Sequence, residues 1–282
     1  MKVYLASQFM GLERKIQLEG GTIVKQSTDA ELVLADPPVS GFDSTVLTGL
    51  GFHTYAGPKT TTHIFAKWFD GEEFSYQLFV GLPFLRLMND DLGPPAEVGM
   101  AGRFVESVFG ESLFNEELVE VLRDMKYKGF VTFDQFGRTT KKVWLGVPYL
   151  GLFNLIECMS GTVMEWFQKP KRLFECWTIS SLFSRYPFPA LGGEIEKSEL
   201  TGLKPEVEKH FSLMNYEIIR RTVYTTMGVV GVATAWASEI SGAAHRVLTT
   251  CRALDTKDKQ FRTDLAWTAQ ERWERVLREN WI

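Results

Sequence analysis

The sequence predicts an α/β protein, and three observations carry that prediction. Short apolar runs punctuated by Gly, Pro and Asp open the chain, at Lys2–Ser7, Thr22–Lys25 and Glu31–Ala35. Strand-like runs recur further on, at Glu72–Val80, Gly129–Phe136 and Val229–Trp236. Between and after them lie stretches whose apolar residues repeat at helical spacing.

The first three runs read as strands of a small unit. They are nearly continuous in apolar character, which fits parallel strands buried on both faces. Their spacers leave room only for short helices. Thr54–Pro58 reads as a further strand end and turn. Glu72–Val80 alternates and is entered through the Asp70–Gly71 turn. Asn115 is placed to cap a helix running to Tyr127, with Leu118, Val119, Leu122 and Met125 on one face. Gly129–Phe136 and Lys142–Val147 read as two strands joined by a turn containing Gly137. Leu152–Phe167 reads as one helix, with Leu155, Ile156, Met159, Val163 and Trp166 at helical spacing and Pro170 ending it. Leu173–Ile179 is strand-like, and Tyr186–Gly193 is a loop. Val229–Trp236 is a strand. From Ser238 a helix follows with Ile240, Ala244, Val247, Leu248, Cys251 and Leu254 on one stripe, capped by Ser238 or Ser241. Thr268–Asn280 is a charged amphipathic helix that either docks on the body or forms an oligomer contact.

Composition narrows the function. The chain has 282 residues, 45% of them hydrophobic and 23% charged, with a net charge of −4. There is no basic excess to favour nonspecific nucleic-acid binding. The 21 Phe and 8 Trp read as core. Cys158, Cys176 and Cys251 lie far apart in sequence and form no CxxC pair, so buried thiols in a reducing compartment are expected. The start, MKVYLASQFMGLERK, is too polar for a signal peptide. No apolar run approaches the roughly 20 residues of a membrane helix. A soluble, cytoplasmic protein is expected. His53, His63, His210 and His245 pair neither with one another at i,i+4 nor with a cysteine, so no zinc site is expected.

Several segments, in order, resemble glycinamide ribonucleotide synthetase (phosphoribosylamine–glycine ligase), an ATP-grasp family. Val232-Ala-Thr-Ala-Trp236, an alanine-containing helix, and Phe261-Arg-Thr-Asp-Leu265 are similar to the family's LGVTA strand, Ala-rich helix and YRRDIG segment. Gly51–Pro58 is similar to GIPxFGP, Trp68–Ser75 to FLEGEEAS, and Asp91–Met100 to DTGPNTGGMG. Tyr127–Gly129 resembles YRG, and Phe174–Pro189 resembles the VxLASGGYP region. The resemblance implies a reduced Rossmann-like N-terminal unit (1–62), an ATP-grasp C-lobe remnant without the ATP-binding subdomain (63–170), an α/β C-terminal domain (171–267) and a terminal helix (268–282).

The departures from the family pattern bear on activity. Only twelve residues separate Pro58 from Gly71, where the family inserts its ATP-binding subdomain, and no segment resembles the lysine-bearing VVKADGLAAGKGV loop. Aligning Lys142-Val143 and Gly151 with KVLEFNxRFGDPE puts Leu145 and Val147 at the two magnesium-ligand positions. Magnesium needs hard oxygen ligands. ATP and magnesium are therefore expected to be lost. The acidic pair before the FLEGEE segment is Ala66-Lys67 here.

Glu73, Asp91, Gly93 and Pro94 are the ligand-binding candidates that the resemblance implies. Glu72 and Glu73 either contact a ribose hydroxyl or form a solvated turn. Asp91 either receives an amine or is an ordinary loop residue before Gly-Pro. No catalytic residue is assigned. Three functions stand: a pseudoenzyme binding a ribose phosphate, an amino acid or a partner; an enzyme forming a carbon–nitrogen bond to a ribose- or nucleotide-like acceptor, either ATP-independent or with its ATP lobe supplied in trans; and a structural assembly protein.

Overall fold

The computed structural model describes residues 1–5, 11–34, 49–50, 63–84, 94–101, 113–168, 172–186, 188 and 196–279. The expected turn at Thr54–Pro58 lies outside the described residues, as do Asp91 and Gly93.

Strands β1 (Lys2–Leu5), β2 (Thr22–Val24) and β3 (Leu32–Leu34) form a parallel sheet with β1 in the middle. Helix α1 (Glu13–Leu18) crosses from β1 to β2. Gly20 ends it with φ at 85°, a conformation open to glycine without a Cβ penalty. A Cβ on the next residue, Gly21, would fall 2.6 Å from both Ile16 and Met164, so close packing requires glycine there as well. A short strand β4 (Gly49–Leu50) pairs in parallel with β10 (Val147–Pro148).

The body is a nine-stranded sheet. Its strands are β5 (His63–Phe69), β6 (Phe74–Phe84), β7 (Ala96–Ala101), β8 (Gly129–Phe136), β9 (Thr139–Leu145), β11 (Cys176–Arg185), β13 (Phe211–Leu213), β16 (Val229–Ala237) and β17 (Lys259–Gln260). They run in the order β13–β16–β11–β7–β6–β5–β8–β9, with β17 on the end of β11, and every pair is antiparallel. Hydrogen bonding is thus continuous from residues 63–145 into 176–237 through the β7–β11 pair. A separate three-stranded sheet holds β12 (Ser198–Leu200), β15 (Thr222–Thr225) and β14 (Tyr216–Ile219). Buried Arg185 ties it to the body, donating to Glu196 O, Lys257 O and Thr225 Oγ1 at 2.9 Å each.

Among the described residues six further α-helices follow: α2 (Glu116–Asp124), α3 (Tyr149–Cys158), α4 (Val163–Gln168), α5 (Pro205–Glu208), α6 (Ile240–Ala253) and α7 (Leu265–Arg278). Helices α2, α6 and α7 cover one face of the sheet with Phe65, Val98, Ile179 and Ala235. Helices α1, α3 and α4 cover the other with Ile64, Trp68, Leu182 and Val232. β5 feeds both cores, so its sequence HIFAKWF shows no alternation, as expected of a strand covered on both sides.

Asn115 caps α2 as expected, its Oδ1 accepting from Leu118 N at 3.0 Å. Two expectations are corrected. Residues 152–167 form two helices, because Gly161 takes φ at 86° and breaks the run. The N-cap of α6 is Glu239, in extended backbone and with no side-chain bond, in place of Ser238 or Ser241. The last helix begins at Leu265 and docks on the body, where Trp273 meets Trp177 edge-on at 5.0 Å. Its start is held by Arg262, whose side chain is 1% exposed and grips Asp264 in a fork of 3.0 and 2.6 Å. Burial alone would raise the Asp264 carboxyl. The Arg262 fork and the Thr268 hydroxyl outweigh it and hold the group below its usual value.

Candidate functional site

A cavity of about 240 Å³ opens between α1, α3 and the segment leading into β13. Ile16 points into the core beneath α1, which leaves Arg14, Lys15 and Glu19 on the cavity side. Arg14 reaches across to Glu208 at the end of α5, 3.0 Å away. Glu19 accepts from Val163 N at 3.0 Å, so a side chain of α1 satisfies one of the open N–H groups of α4. These two contacts fix the N-terminal unit against the body and set the cavity's width.

Lys15 is the electrostatic centre of the site. Its charge acts on Glu19, on Glu157 of α3 and on His210. Burial pushes Glu157 up to about 7, against the pull of Lys15. Its carboxyl borders the cavity on a half-buried residue, and burial favours its protonated form well above the usual carboxylate range. Burial also lowers His210, helped by the positive charges of Lys15, Arg246 and Lys209. The imidazole is therefore neutral at pH 7. Its buried Nδ1 has no hydrogen-bond partner among the described residues.

The floor is polar and runs deep. Thr234 of β16 lies at the cavity and meets Ser180 of β11 at 3.1 Å. Ser180 donates to Asn154 Oδ1 at 2.9 Å. Asn154 Nδ2 donates to Glu97 O at 3.1 Å and to Glu97 Oε1 at 3.4 Å. Ser180 has one proton, and it goes to Asn154, so Thr234 must be the donor in its contact with Ser180. Thr234 Oγ1 then offers the cavity lone pairs alone. Glu97 is fully buried, and a Cβ on Gly81 would stand 2.6 Å from its Oε1. The space for this carboxylate exists because the facing strand carries no side chain there. The cavity thus presents acceptor oxygens at Thr234 and Glu157 and cationic side chains at Lys15 and Lys209.

The described ligand-binding candidates lie elsewhere. Glu73 is exposed in the β5–β6 turn, where the N–H groups of Glu72 and Glu73 both donate to Asp70 Oδ1 at 2.9 Å. Arg123 of α2 clamps that turn through the Glu72 carbonyl, at 2.9 and 2.6 Å. Pro94 is buried just before β7. Phe84 pairs with Ala96 at one end of β6, and Glu73 precedes the other end. Eleven strand residues span roughly 35 Å, so the structure does not bring Glu73 and Pro94 together. Leu145 is partly buried at the end of β9, and Val147 is fully buried. Neither offers a side-chain oxygen, so the side chains at these two positions do not fit a magnesium ion. Lys67, in the segment before the Asp70–Gly71 turn, sits 5.1 Å from the centroid of the Phe114 ring.

The cavity residues themselves escape sequence reasoning, since Lys15, Glu157, His210 and Thr234 come from four distant segments. One signal was available. Thr178, Ser180, Ser181 and Ser184 place hydroxyls along a buried strand, and of these Ser180 joins the cavity floor through Asn154 and Thr234. Among the described residues no group of three His, Cys, Asp or Glu side chains gathers as a metal ion requires. No described helix is long and apolar enough to cross a membrane.

No protein-family model matches the sequence, and no curated protein is similar to it. Among solved structures, the chain is similar to phosphoribosylamine–glycine ligase from Thermotoga maritima, at 14% identity and a TM-score of 0.49, over 72% of this chain and 55% of that one. It is similar to a biotin carboxylase from Campylobacter jejuni, at 10% identity and a TM-score of 0.43, over 76% and 50%. Urea amidolyase of K. lactis matches 99% of this chain with 22% of its own, at 8% identity and a TM-score of 0.49. The chain spans about half the length of the first two proteins and under a quarter of the third.

Proposed function

We propose that this chain is a ligand-binding relative of the ATP-grasp ligases that carries out no ATP-dependent ligation. Its ligand is a small polar molecule with an amine at one end and an anionic group at the other. The observation that carries this reading is the cavity, with Thr234 Oγ1 and Glu157 as acceptors and Lys15 as the central cation. The ordered motifs from Gly51 to Leu265 support the descent. The missing lysine-bearing loop, together with Leu145 and Val147 at the magnesium positions, supports the loss of ATP and magnesium. Phosphoryl transfer depends on such groups to balance phosphate charge.

Calorimetric titration with glycine, larger amino acids, ribose 5-phosphate, AMP and ATP–Mg²⁺ tests the reading. Binding of an amino acid, weakened at least tenfold by Lys15→Ala, is expected. ATP-dependent phosphate release by the purified chain, abolished by a point mutation in it, would sink the proposal.

A second reading has one observation in its favour. A carboxyl held near pKa 7 beside a cavity is suited to take a proton from an attacking amine. Under that reading the chain is an enzyme forming a carbon–nitrogen bond, with Glu157 as its base. A pH–rate profile rising through 7 and lost in Glu157→Gln separates this from simple binding.

A further inference from the structure

Cys158 ends α3 and Cys176 begins β11, eighteen residues later in sequence, yet their sulfurs lie 3.6 Å apart. The two segments are already tied by their backbones. Phe174 N donates to Cys158 O at 2.7 Å, and Met159 bridges to Leu173 in antiparallel register. A disulfide needs its sulfurs at about 2.05 Å, so the thiols need to close by only about 1.5 Å. Cys158 is fully buried and Cys176 is 4% exposed. Glu175, the residue before Cys176, is exposed, so the surface lies one residue away along the chain. The remaining cysteine, Cys251, lies on α6 and is buried within the other core.

We infer that Cys158 and Cys176 form a reversible thiol–disulfide pair that braces the cavity wall carrying Glu157. Glu157 is the residue before Cys158, so a bond at Cys158 fixes the last turn of α3 against β11. The oxidant is a small peroxide, which suits a site with little exposure. In the first step the Cys176 sulfur attacks hydrogen peroxide, the O–O bond breaks, and sulfenic acid and water form. In the second the Cys158 sulfur attacks the sulfenic sulfur, a second water leaves, and the S–S bond forms. Two thiols lose two electrons and two protons, and one peroxide becomes two waters. A thiol reductant reverses the change. The contact between the two thiols favours Cys176 as the attacking sulfur. The hydrogen bond between the two thiols lowers Cys176 and raises Cys158. Crosslinking across this loop also removes freedom from the unfolded chain.

The test uses the full chain and needs no ligand, so it stands or falls apart from the assigned function. The folded protein is treated with hydrogen peroxide, quenched, alkylated and digested. A loss of 2 Da, a peptide joining Cys158 to Cys176, and alkylation of Cys251 after unfolding are expected. Dithiothreitol should restore both thiols. The oxidised chain should melt about 5 °C higher than the reduced one, and Cys176→Ser should remove that difference. Peroxide that leaves both thiols alkylatable, or that drives Cys176 to sulfinic acid without a crosslink, overturns the inference. Because the peptide map is read on the unmutated chain, a variant that fails to fold leaves the test intact.

Discussion

On one side of the central sheet, α6 and α7 lie over a surface of Phe65, Val98, Ile179 and Ala235. On the other, α3 lies over Ile64, Trp68 and Leu182, but also over Glu97, Ser180 and Thr234. The first face is mainly apolar, and among the described residues it also holds the Arg262–Asp264 ion pair and the buried imidazole of His63. The second keeps a chain of polar side chains leading from a fully buried carboxylate to open space. Three polar groups beneath a helix are costly for folding alone, since each must be satisfied at the cost of apolar contact. Under the proposed function, the second face is the one that recognises the ligand.

The comparison breaks most sharply at Arg262. Replacing it by Ala leaves the Asp264 carboxylate half-buried without its fork, and should lower the unfolding free energy by about 3–5 kcal/mol. Denaturant unfolding measures this. Ligand affinity of the surviving folded protein should be unchanged, which separates the two faces.

Glu157 gives the next largest effect, and it depends on pH. Its folded carboxyl titrates near 7 against 4.5 for the ordinary group. Between these values the folded chain holds a proton that the unfolded chain releases. The stability this proton confers is complete below pH 4.5 and is lost as pH rises through 7, amounting to at most about 3 kcal/mol. Glu157→Gln should flatten that part of the stability–pH curve. On the first face the sign reverses. Burial, with the Arg272 charge, pushes His63 down to about 4, so its contribution is present above pH 6.5 and lost as pH falls through 4.

The smallest expected effect is at a helix end far from the cavity. Asn115→Ala removes the cap of α2 and should cost about 1 kcal/mol, with no change in binding.

Legibility in the sequence followed the same division. The first face shows in its apolar stripes: Ile240, Ala244, Val247 and Cys251 sit at helical spacing, and Phe261–Leu265 carries the Arg–Asp pair that starts the last helix. Asn115 announced its helix because a cap is a local device. β5 was not legible, since a strand buried on both faces carries no period. The break at Gly161 was hidden because the apolar spacing runs straight through it. The cavity was the least legible of all. Lys15, Glu157, His210 and Thr234 are unremarkable one by one, and only the fold brings them together. The pairing of Cys158 with Cys176 failed for the same reason, because distance along the chain says little about distance across a sheet.

Thermal-shift titration of the unmutated chain and Thr234→Val, side by side, tests the central claim most directly. The probes are a panel of amino acids and ATP–Mg²⁺, each added alone. A ligand that binds the native state raises the melting temperature by mass action, by about 2.7 kcal/mol of stability at a hundredfold excess over its Kd. A rise with an amino acid, lost in Thr234→Val, and none with ATP–Mg²⁺ is expected. A rise with ATP–Mg²⁺ that survives Thr234→Val would contradict the claim.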